Sequence, residues 1–156
     1  MKRFAVIIIA LLSFAVTEAQ TIALGERTPR LKDVKWLNGN IPAKSAYTYI
    51  GFIHSASRPC QYWVESIHKS LSNIENIAFV FVSREGASDI EQWVMKYLSP
   101  NSGVIVEGES FSRSFGINYV PFAVIVDNKR RALWFGNPRM LDKDTVERIF
   151  TNSQSK

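Results

Sequence analysis

The chain has 156 residues, 46% of them hydrophobic and 21% charged, and carries a formal net charge of +5. That length and composition suit one globular domain with a sizeable core, and no repeat or low-complexity segment interrupts it. The charge excess is too mild to point to a nucleic-acid partner, and a single cysteine excludes an internal disulfide framework.

Lys2 and Arg3 form a short positive region, Phe4 to Val16 is an almost unbroken apolar run, and Thr17-Glu18-Ala19 supplies small residues at a cleavage site. This is the pattern of a secretory signal peptide over residues 1–19, with the mature domain spanning residues 20–156. The apolar run is short for a bilayer span, and no cysteine follows the cleavage site to carry a lipid. The expectation is an exported protein, periplasmic or secreted after cleavage near Ala19, with no stable membrane insertion afterwards. An uncleaved N-terminal anchor is the alternative. Loss of Lys2, Arg3 and Glu18 would take the net charge from +5 to +4.

Gln20 to Ala46 reads as an irregular lead-in with one or two short strands, broken by Pro29, Gly39 and Pro42. Tyr47 to His54 is aromatic and β-branched, as a buried strand should be. From Pro59 onward the apolar residues Cys60, Trp63, Val64, Ile67, Leu71 and Ile74 fall at helical spacing, and proline suits a first helical turn. Ile77 to Ser83 is apolar on both faces, like a strand in the middle of a sheet.

A second helix carries Ile90, Trp93, Val94, Tyr97 and Leu98, with Ser88 or Asp89 as the expected cap. A short strand-like Gly103 to Glu107 follows, then a helical turn around Phe111 to Phe115. Phe122 to Asp127 and Ala132 to Phe135 form a hairpin through the basic turn Lys129-Arg130-Arg131, which reads as a solvated turn. A last helix runs from about Asp144 to Phe150, with Asp144 and Glu147 spaced like a capping box. The four tryptophans read as core. The fold class expected is α/β: a parallel βαβ half and a ββα half sharing one mixed sheet with helices on both faces.

Chemistry-bearing residues concentrate between His54 and Trp63, around the lone Cys60. Ser57 stands three residues before it and can cap the helix with its hydroxyl. Arg58 would acidify the thiol if both face one pocket. His54 and His68 with Cys60 are too few ligands for a metal site, so no metal or cofactor is expected. Ser57 as a hydrolytic nucleophile would need His54 as base and an acid to orient it, and no acid is indicated.

The chain resembles the thioredoxin fold, and within it the exported TlpA/ResA-like thiol-disulfide proteins. The residues that carry the resemblance are LGERTPRL in the lead-in, SRPC after the first long strand, YVPFAVIVD, and WFGNP before the last helix. The resemblance implies that Ser57, Arg58, Pro59 and Cys60 occupy the place of a Cys-x-Pro-Cys site. Cys60 then matches the resolving cysteine, and Pro121 a cis-proline whose predecessor, Val120, pairs with an extended substrate peptide. It also implies three losses. Ser57 stands where the attacking cysteine would be, Ala56 replaces a tryptophan, and Gly51 aligns with a buried acid. A hydroxyl cannot enter a disulfide, so ordinary dithiol exchange is gone.

The leading expectation is therefore a redox-impaired polypeptide-binding or accessory module, with an extended polypeptide held between the Ser57 to Cys60 turn and Val120-Pro121. The alternative is a single-thiol oxidoreductase in which Cys60 exchanges with a partner protein thiol. A peroxidase on the Ser57-x-x-Cys60 spacing lacks its proline, which would fall at Ile53. A disulfide-linked dimer through Cys60 stays open.

Overall fold

The protein was analysed as a computed structural model, which describes residues 22–155. Residues 1–19, where the sequence pattern leads us to expect a signal peptide, lie outside the described residues. Six strands form one mixed sheet, ordered across it as Lys35–Trp36, Ser102–Val106, Ile77–Ser83, Tyr47–Ile53, Phe122–Asp127 and Ala132–Gly136. At its centre β2 (Tyr47–Ile53) and β3 (Ile77–Ser83) run parallel, paired from Tyr47 with Ile77 to Ile53 with Ser83. Helix α1 (Arg58–Leu71) makes the crossover between them. Helix α2 (Ala87–Val94) and a 3-10 turn, Met95–Tyr97, lead to β4 (Ser102–Val106), which is parallel to β3. The lead-in strand β1 (Lys35–Trp36) closes that side antiparallel to β4.

After α3 (Glu109–Ser114) the chain returns as β5 (Phe122–Asp127), antiparallel to β2, and turns into β6 (Ala132–Gly136). A 3-10 turn, Pro138–Met140, and helix α4 (Lys143–Gln154) complete the chain. The mixed α/β sheet expected from the sequence is the one observed.

The sheet is buried on both faces, which is why β2, β3 and β5 are apolar almost without alternation. Successive side chains of β2 still part to opposite sides. Tyr49 and Ile53 join Cys60, Val64, Ile67 and Leu71 of α1 in one cluster, with Leu141 and Val146 from the C-terminal segment. Ile50 and Phe52 join Phe111, Phe115 and Phe122 in the other. Stacking of Tyr47 on Phe150, with ring centroids 3.7 Å apart, docks α4.

Four details depart from the sequence reading. Gly103 to Glu107, read as a passing strand-like segment, contributes a full third parallel strand, with Val104, Ile105 and Val106 essentially without exposure. Helix α2 starts at Ala87 with Gly86 as its N-cap and no side-chain cap; Ser88 and Asp89 lie in the first turn, where Asp89 faces the positive helix end. Helix α4 is capped by Asp142, whose side chain accepts the Thr145 N–H at 2.7 Å, so it begins earlier and ends later than the pattern indicated. The tryptophans are half-buried rather than core. Trp63 meets exposed Tyr62 edge-on, while Trp36, Trp93 and Trp134 pack on the margins of the clusters. Among the described residues no helix is long and apolar enough to cross a membrane.

Candidate functional site

Pairing of the strands brings three loops to one end of the sheet. Phe52 pairs with Phe122 and Ala123 with Gly136. The turn after β2, the loop before β5 and the turn after β6 are therefore neighbours. These loops hold Ser57 to Cys60, Val120-Pro121 and Pro138–Met140.

Ser57 is the N-cap of α1: its backbone is extended, and its Oγ accepts the Cys60 N–H at 3.3 Å. Pro59 sits in the first helical turn, where its missing N–H has no partner to lose. Arg58 and Pro59 are both exposed, whereas Cys60 is 0% exposed and belongs to the α1 core cluster. Burial is the main cause pushing the Cys60 thiol up, against smaller opposing effects of the Ser57 hydroxyl and the His54 backbone. The nearby charge acting on it is the Glu85 carboxylate, which raises it further. The condition under which Arg58 would acidify the thiol, that both face one pocket, is not met: Arg58 is exposed and Cys60 is covered. Nor can a disulfide-linked dimer form through Cys60 while the thiol stays covered.

Glu85 is the residue that sequence reasoning missed. It lies two positions beyond β3 and reaches across to the turn after β2. Its carboxylate accepts the Ser55 N–H at 2.8 Å, the Ser83 hydroxyl at 2.8 Å and the Ser55 hydroxyl. Burial pushes this carboxyl up, but the Ser55 and Ser83 hydrogen bonds outweigh that and hold it below the usual carboxylate range. His54 Nδ1 accepts the Ala56 N–H at 3.1 Å and stands 3.6 Å from Glu85 Oε1. The signal was available: Ile53 pairs with Ser83, so whatever follows β3 must stand beside whatever follows β2.

Gly51, at the position of the implied buried acid, has no room for one. An added Cβ would lie 2.7 Å from Cε1 of Tyr49, whose ring fills the space on that side of the strand. Burial, with the Cys60 charge adding to it, pushes the Tyr49 hydroxyl far above its ordinary value, so a neutral phenol stands where a carboxylate was implied.

The Val120-Pro121 peptide bond is cis. Pro121 is buried, while Val120 is 36% and Tyr119 62% exposed. Both line a cavity of about 210 Å³ with Phe52, His54, Val82 and Arg84. Arg84 is committed elsewhere, donating to the Ile117 carbonyl at 2.6 Å and pairing with Glu109 at 3.1 Å. His68 is half-buried with its ring against Tyr97. Among the described residues no three His, Cys, Asp or Glu side chains cluster closely enough to hold a metal.

The arrangement of the sheet, with a helix starting at Ser57 opposite a cis-proline loop, can be compared with solved structures. The chain matches the thioredoxin domain of a thiol-disulfide oxidoreductase from Bacteroides vulgatus at a TM-score of 0.64 and 17% identity, covering 81% of this chain and 97% of that one. The fold is thioredoxin-like. StoA from Bacillus subtilis gives a TM-score of 0.58 at 13% identity, over 75% of this chain and 93% of its own. A thioredoxin-like protein from Aeropyrum pernix gives 0.59 at 12% identity, over 74% and 81%. At such low identities these thioredoxin-like structures speak for the fold alone. No family model matches the chain, and no curated protein matches it.

Proposed function

We propose that this chain is an exported, redox-impaired relative of the TlpA-like proteins that acts as a polypeptide-binding or accessory module. Its site is the groove between the Ser57 to Cys60 turn and Val120-Pro121, and its partner is an extended polypeptide whose backbone pairs beside Val120. One contrast supports this reading above all. The only thiol is fully covered, and its burial disfavours the thiolate, while the loop that would hold a peptide is open. A disulfide exchange needs an accessible thiolate, and burial together with Glu85 works against both conditions. Peptide binding needs neither.

Two measurements test the reading. Titration with an extended peptide should shift the Val120 amide and the Pro121 carbon resonances, equally in the wild type and in Cys60→Ala. Insulin reduction with a dithiol donor should proceed at the same background rate with wild type and Cys60→Ala. A rate that falls in Cys60→Ala would instead establish the single-thiol oxidoreductase.

A further inference from the structure

The three loops around the groove are unequal in charge. Residues 54–63, 117–122 and 134–141 contain Arg58, Arg139 and His54 but no aspartate or glutamate. The Glu85 carboxylate, which reaches the turn after β2, is largely buried and already accepts from two serines. Arg58 opens α1, and Arg139 lies in the 3-10 turn that packs against that helix. Both are exposed. Among the described residues neither forms an ion pair, although Lys35, Lys69, Arg84, Arg113 and Arg131 all do. The cavity beside Val120 is itself lined by Arg84, which Glu109 neutralises, whereas Arg58 and Arg139 stand on the neighbouring loops at this end of the sheet without a carboxylate partner.

The apolar side of the groove lies on the other face of the sheet. Tyr119 meets the Phe122 ring edge-on at 5.4 Å, and Phe135 stacks on Phe122 at 6.4 Å. Phe122 belongs to the Phe52 cluster, whereas Cys60 and Leu141, each two residues beyond Arg58 and Arg139 in the chain, belong to the α1 cluster. A strand laid beside Val120 turns alternate side chains to opposite faces. One set would meet Tyr119 and Phe135, and the other would point towards Arg58 and Arg139.

We propose that the groove selects extended segments in which apolar and acidic residues alternate, the carboxylates reaching Arg58 and Arg139. This specificity rests on the polypeptide-binding reading given above. Exposed guanidinium–carboxylate contacts are individually weak, so two of them together should give about a tenfold preference over an uncharged peptide at low salt.

The test uses three octapeptides of alternating residues, glutamate–valine, glutamine–valine and lysine–valine, titrated into isotopically labelled protein while the Val120 amide is followed. The expected result is that the glutamate peptide binds about tenfold more tightly than the glutamine peptide. That preference should vanish in the double variant Arg58→Gln, Arg139→Gln and at high salt, and persist in Arg148→Gln, a cation on the remote helix α4. Equal binding of the glutamate and glutamine peptides, or tightest binding of the lysine peptide, overturns the acidic specificity and leaves the groove standing. No shift of Val120 with any of the three overturns the polypeptide-binding reading itself.

Discussion

Cys60 should be nearly inert in the folded protein, and the structure sets how inert. To reach it, a reagent must wait for the start of α1 to lift from the sheet, which exposes Cys60 and then Val64, 2% exposed in the folded state. Burying an aliphatic side chain of that size contributes about 1.5 kcal/mol or more, and Cys60 a comparable amount, so the opening costs about 3 kcal/mol. That corresponds to a slowing of about 100-fold relative to unfolded chain. Regained chain entropy offsets part of the cost, while Ile67 and Leu71 add to it if the whole helix lifts. Alkylation by iodoacetamide, followed by mass against pH with a urea-denatured control, measures the ratio directly. Because reaction passes through the open form, its pH midpoint should stay near that of a free thiol, about 8.5. Native labelling within tenfold of the denatured rate, with a midpoint well below that value, would refute the reasoning and mark Cys60 as an activated thiolate.

The Glu85 carboxyl is held below its ordinary range in the folded state, so its contribution to stability is present above the unfolded value of about 4.3 and is lost as pH falls through the folded one. Glu85→Gln should therefore cost about 1–3 kcal/mol in urea unfolding at pH 7, because an amide nitrogen must face one of the serine donors, and much less at pH 3. An equal loss at both pH values would contradict this. Ser57→Ala removes the cap of α1 and should lower stability by about 1 kcal/mol in the same assay, with Ser57→Gly costing less. Gly51→Ala forces a methyl group against the Tyr49 ring and should cost about 1–3 kcal/mol. Unfolding curves in a Tyr49→Leu background should show a smaller loss if that contact is the cause.

Much of this architecture was legible because burial leaves a pattern. The run from Tyr47 to Ile53 had to be a buried strand, and the spacing of Cys60, Val64, Ile67 and Leu71 had to be a helix face. What stayed hidden depends on neighbours far away in the chain. Five residues from Ser102 to Val106, with only Val104, Ile105 and Val106 strongly apolar, do not announce which strand they will pair with, so the third parallel strand is not evident in the sequence. The cap of α4 moved to Asp142 because two acids close together offer the same chemistry, and only the incoming backbone decides between them. At the site, the lack of a second thiol could be read directly, since Cys60 is the single cysteine of the sequence. The carboxylate that stands beside Cys60 could not, since Glu85 is 25 residues further along and reaches it only through the pairing of β2 with β3.

The bonds that Glu85 makes to Ser55 and Ser83 have a consequence for how the groove behaves in different surroundings. A dithiol site is bistable: its turn is cross-linked or free according to the electron supply. Here the turn after β2 is moored by a carboxylate and two hydroxyls, groups that neither oxidants nor reductants alter. The shape of this turn is then the same across redox conditions. What could release it is strong acid, which removes the negative charge at the mooring point.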